Sequence, residues 1–122
     1  MYEFHASLSA VENSRDRAFE KVIQPLIDEL KTPGFLVSSG YSNGQYVAAL
    51  GGCSNHDRNS EELLALFRKA GELSSTAWGI VHIFDDEADA APVKVYGLSR
   101  GTLREIEDAS DFAGFQREGA AE

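Results

Sequence analysis

Ser42-Asn43-Gly44 constrains this chain more than any other segment. Asn-Gly accepts positive φ at both central positions of a tight turn, and such turns match the twist of the strands they join. The tripeptide lies between two β-rich runs, Phe35 to Ser39 and Gln45 to Leu50. A hairpin here commits the chain to a sheet, and the other segments must pair with that sheet or pack on it. Tyr2 to Ala10 alternates, with Tyr2, Phe4, Ala6 and Leu8 on one face and Glu3, His5, Ser7 and Ser9 on the other. That period of two predicts a strand.

Two segments change to a helical period. From about Ser14 to Leu30, the residues Phe19, Val22, Ile23, Leu26, Ile27 and Leu30 form an apolar stripe, with Asn13 or Ser14 as the N-cap. Pro25 falls inside this pattern and removes one backbone donor, which predicts a kink or a break into two shorter helices. Thr32-Pro33-Gly34 ends the element. The second helix is expected from Asn59 to Leu73. Asn59 and Glu62 make a capping-box-like start, and Leu63, Leu66, Phe67, Ala70 and Leu73 form its buried stripe. Gly51 and Gly52 are expected to loosen the end of the strand before it.

Ala77 to Phe84 and Val93 to Leu98 are β-rich and are joined by the polar stretch Asp85 to Pro92. Thr102 to Ile106 adds one further strand or turn. The order is β-α-β-β-α-β-β, and two helices on one largely antiparallel sheet give an α+β fold. Its first six elements match the split βαβ order of ferredoxin-like folds. The chain has 122 residues and 13.3 kDa, the size of one domain that needs no disulfide or structural metal. Residues 1–112 read as that single domain, and 113–122 as a loosely ordered tail in which Phe115 is the only large apolar side chain.

Charge narrows the function classes. A net charge of −9 repels phosphate backbones and anionic lipid, so nucleic acid and membrane surfaces are poor partners, whereas a basic protein is a good one. Ten of the twenty acids, but only four of the eleven bases, lie between residues 85 and 122. A localised negative field of this kind speeds encounter with a positive partner. The competing reading is acidity that simply promotes solubility. One cysteine, Cys53, excludes an internal disulfide and any multi-cysteine zinc cluster. Met1-Tyr2-Glu3-Phe4-His5 lacks a signal peptide's positive flank and apolar run, and no stretch approaches ~18 consecutive apolar residues, so a cytoplasmic protein is expected.

Few residues point to chemistry. Asp85, Asp86, Glu87 and Asp89 supply hard oxygen ligands of the kind Ca²⁺ and Mg²⁺ prefer. They lack the alternating acids and bend glycine of a calcium loop, and an acidic turn between strands is ordinarily solvated charge. Cys53 and His56, with His5 and His82 in predicted strands, have no surrounding motif that would make a nucleophile–base pair. Neither a phosphate loop nor a nucleophile elbow is present. Trp78 reads as sheet packing. No cofactor and no enzymatic activity are expected.

Several segments together resemble a known family. They are Tyr2-Glu3-Phe4-His5, Leu50-Gly51-Gly52 leading to Asn55-His56-Asp57-Arg58, and Leu66-Phe67. Trp78 through Glu87, Val93 through Gly101, and Glu107-Asp108 complete the set. In order and spacing they resemble the immunity protein 7 family of bacterial polymorphic-toxin systems. The resemblance implies a small cytoplasmic α+β protein that binds and neutralises a cognate toxin domain. The chain departs from the family pattern after Asp108, where Ala109 to Phe115 contains no proline. Charge, not the family pattern, assigns Asp85, Asp86, Glu87 and Asp89 to a contact with a basic toxin, with Tyr41 and Tyr46 as exposed aromatic anchors. The alternative is a small-ligand or divalent-metal binding module built on the Asp85–Asp89 turn. A hydrolase built on Cys53 and His56 is the third reading.

Overall fold

The computed structural model describes residues 2–12, 15–30, 35–54, 58–85, 93–107 and 114–115. The elements follow as β1 (Tyr2–Val11), α1 (Ala18–Leu30), β2 (Phe35–Ser42), β3 (Gln45–Ser54), α2 (Arg58–Leu73), β4 (Trp78–Asp85), β5 (Val93–Ser99) and β6 (Thr102–Ile106). One antiparallel sheet runs β2-β3-β1-β4-β5-β6. Its first four strands in sequence lie in the order β4-β1-β3-β2, a ferredoxin-like arrangement, and β5 and β6 extend it beyond β4. The expected α+β class and element order hold, and Thr102–Ile106 is a strand.

Alternation in β1 sorts the sheet into two faces. Phe4, Ala6, Leu8 and Ala10 are buried beneath the helices, together with Tyr46, Ala48 and Leu50 of β3 and Val81 and Ile83 of β4. Helix α1 sets Phe19, Ile23, Ile27 and Leu30 on this core, and α2 adds Leu63, Leu66, Phe67 and Ala70. Two members of the expected stripes turn outward, Val22 (38 % exposed) and Leu73 (39 % exposed). The reason is geometric. A stripe wider than the sheet contact leaves its margin in water.

Helix α1 runs unbroken through Pro25, so the alternative of two shorter helices does not occur. Pro25 sits on the exposed side, where water can take the carbonyl that its missing N–H leaves unpaired. Among the described residues, the two hairpin turns of the sheet carry positive φ at both central residues. These are Asn43 (52°) with Gly44 (75°), and Arg100 (51°) with Gly101 (83°). The first is the expected hairpin, with Tyr41 opposite Tyr46 and Ser42 opposite Gln45. The second gives no Asn-Gly signal, and Arg100 holds the left-handed conformation itself.

Gly51 and Gly52 do not loosen β3. Both pair with β1 and β2 at once, and the strand continues to Ser54. Pairing on both sides supplies the ladder that the side chains do not. Helix α2 begins at Arg58, one residue before the expected Asn59. Asn13, Ser14 and Thr32-Pro33-Gly34 lie outside the described residues.

Candidate protein interface

Strand β4 ends at Asp85, the first residue of the acidic run. Asp85 pairs with Tyr2 at the end of β1, and the alternation from Val81 and Ile83 places it on the helix-covered face. It is partly buried. Asp86, Glu87 and Asp89 lie outside the described residues. Among the described residues, no three His, Cys, Asp or Glu side chains are grouped to hold a metal ion. Cys53 is exposed and stands opposite Glu3, while His56 falls outside the described residues. His5 and His82 face each other across β1 and β4, on the face the helices leave open.

The two tyrosines behave differently from one another. Tyr46 has no exposed surface, which corrects the expectation of an exposed aromatic there. Its ring meets Phe19 at 5.7 Å, and its hydroxyl donates to Gln24 Oε1 at 2.9 Å. Burial pushes its phenol above the usual value, and the neighbouring carboxylates of Glu20, Asp28 and Glu12 push the same way. Tyr41 is half-buried and lies edge-on to Tyr46 at 5.8 Å. The Arg17 guanidinium covers its ring at 5.2 Å, and its hydroxyl donates to Glu12 Oε2 at 3.0 Å. The phenol of Tyr41 is also raised, first by burial and then by Glu12, through its hydrogen bond and its charge.

Glu12 organises this corner. Its carboxylate accepts from the backbone N–H of Phe19 and, at 3.2 Å, from that of Glu20, the second and third residues of α1. It does the work of an N-cap from the end of a strand. The Lys21 N–H donates to the Arg17 carbonyl at 2.9 Å, which makes Arg17, at φ 51°, the boundary residue of the helix. An N-cap ordinarily adjoins the helix it caps. The distant acid gave no local signal.

The open face of the sheet is shallow and nearly uncharged near its centre. Ser7 and Ser9 of β1, Gly40 of β2, and Val47 and Ala49 of β3 line a depression of about 480 Å³. Trp78 forms one wall, stacked on Phe115 with ring centroids 5.0 Å apart. Phe115 is fully buried there, over Gly97. A Cβ at Gly97 would lie 2.6 Å from its ring. Of the tail residues 113–122, only Gly114 and Phe115 are described. This apolar contact gave no sequence signal beyond one aromatic residue in a polar segment.

No helix among the described residues is long and apolar enough to cross a membrane. None of the curated proteins matches the chain. One solved structure is similar, a phage SAM lyase in complex with S-methyl-5'-thioadenosine. It shares 19 % identity over 80 % of this chain and 89 % of that chain, with a TM-score of 0.36, too distant to bear on function. The model of the family described as immunity protein 7 matches residues 1–111. With two helices on an open antiparallel sheet and a match over nearly its whole length, the chain belongs to the immunity protein 7 family, whose members are non-catalytic and neutralise a toxin by binding it.

Proposed function

We propose that the protein protects its producing cell by binding a basic toxin domain stoichiometrically in the cytoplasm. Asp85, Asp86, Glu87 and Asp89 steer the encounter, and Tyr41 contributes to the contact. Fully buried Tyr46 supports Tyr41 from beneath. The observation that carries this reading is the family match over residues 1–111, in a chain whose net charge is −9. A strongly acidic surface favours a basic partner through long-range attraction, while affinity comes from a few buried anchors.

Co-expression with the toxin domain encoded immediately upstream tests it. Restored growth together with a 1:1 complex on purification is the expected result. Changing Cys53 to Ala and His56 to Ala should leave protection intact, because binding needs no turnover. Stabilisation by Ca²⁺ or Mg²⁺ without any restored growth would instead favour the metal-binding module.

A further inference from the structure

The sheet ends differently on its two sides. Edge strand β6 has five residues and carries Arg104 and Glu105. Edge strand β2 has eight, Phe35 to Ser42, with no charge, no proline and an outward Leu36 that is 76 % exposed. Long, uncharged edges pair with other strands unless charge, proline or a bulge prevents it. Among the described residues no strand lies beyond β2.

What β2 fits can be read from the helix above it. Gln24 of α1 accepts a hydrogen bond from Ser39 Oγ at 3.2 Å, so that flank of the helix overhangs the middle of β2. Lys21 and Asp28 are exposed and lie three residues before and four after Gln24, on the same flank. Gln24 Nε2 donates to Asp28 Oδ1 at 3.2 Å, which confirms the shared side. One opposite charge therefore stands on either side of the point above Ser39.

That arrangement is self-complementary. We propose that β2 pairs antiparallel with β2 of a second copy about a two-fold axis at Ser39, joining two sheets into one. Strand pairing keeps like faces together. Ser38 then meets Gly40, Val37 meets Tyr41, and Leu36 meets Ser42 of the other copy. The axis also brings Lys21 of each copy toward Asp28 of the other, twice over. Two copies, each of charge −9, repel overall, and an uncharged strand edged by opposite charges is where they can meet. The pairing goes beyond toxin neutralisation and does not depend on it.

Sedimentation velocity of the whole chain at 5 and 200 µM is the test. The expected result is a mass that rises with concentration from 13.3 kDa toward twice that value. Adjacent residues on an edge strand point their N–H groups in opposite directions, so one of Ser38→Pro and Ser39→Pro removes only an outward donor. The variant that keeps wild-type melting should be monomeric at both concentrations. Lys21→Asp should weaken association about tenfold, and K21D/D28K should return it to within about threefold of wild type. The charge pair carries the test if neither proline variant folds. A monomeric wild-type chain at 200 µM overturns the proposal, as does a swap that folds but fails to restore association. A monomeric chain whose toxin binding is lost on blocking β2 assigns the edge to the toxin and also overturns it.

Discussion

Phe115 stacks on Trp78 with its ring plane only 16° from parallel and its centroid 5.0 Å away, joining the C-terminal region to the open face of the sheet. Phe115 has no exposed surface, and the ring lies against Gly97 and near Ile106. Phe115→Ala should lower stability by about 3–5 kcal/mol, the range for deleting a buried aromatic ring. Gly97→Ala should also destabilise, because its Cβ would sit 2.6 Å from the same ring. Thermal melting and the emission maximum of Trp78, the sole tryptophan, report both effects. Unchanged melting and emission in Phe115→Ala would remove the contact from the fold.

Glu12 holds α1 to the sheet through two backbone donors and the Tyr41 hydroxyl. Glu12→Ala should cost about 1–2 kcal/mol, the upper part of the range for losing a helix cap, since a tyrosine partner is lost as well. Tyr41→Phe should cost less, because the cap itself survives. Denaturant unfolding of both single mutants and the double mutant separates the two contributions. Strict additivity would show that Glu12 and Tyr41 act independently.

Phe67 is fully buried, and its ring lies where a Cβ on Gly79 would come within 2.6 Å. Phe67→Ala should cost about 3–5 kcal/mol, a large share of the roughly 5–15 kcal/mol that stabilises a typical domain. Circular dichroism melts are the measurement. A melt identical to wild type would contradict the packing of α2 on β4.

The raised phenols of Tyr41 and Tyr46 give a signed pH dependence. A phenol whose folded pKa exceeds its unfolded value near 10 binds its proton more tightly in the folded state. Its stabilising contribution is complete below that unfolded value and is lost as pH rises through the folded one. Denaturant unfolding from pH 9 upward should therefore show a steeper fall for wild type than for Tyr46→Phe. Parallel curves would dissociate Tyr46 from the alkaline transition.

Neutralising Asp85, Asp86, Glu87 and Asp89 to Asn and Gln should slow toxin association and flatten its salt dependence. Rim charges act over about 8 Å at physiological ionic strength and mainly set the on-rate. Dissociation should change little for Asp86, Glu87 and Asp89, because pairs that stay solvated contribute only ~0–1 kcal/mol each. Partly buried Asp85 is changed separately, so that any loss of fold stability is read apart from binding. Stopped-flow binding at two salt concentrations distinguishes the cases. Should neither rate move, the turn is solvated charge and the contact lies elsewhere.

The sequence by itself determined the element order, because each signal for it is local. Asn43-Gly44 can take positive φ, the β1 residues alternate, and the α2 stripe repeats every three to four positions. The family could be read for the same reason, since its motifs are short runs in fixed order matched over residues 1–111. Tertiary structure decided the contacts between residues far apart in the chain. Tyr46 alternates like any strand residue, and only Phe19 and Gln24 arriving from α1 bury it. Glu12 is one acid among twenty until the chain folds the start of α1 onto it. Phe115 looks like a stray aromatic in a polar tail, yet Gly97 and Trp78 make a seat for it from two adjacent strands. Period and propensity act over a few residues, whereas burial depends on which surfaces meet. That meeting is settled only when the whole sheet has formed.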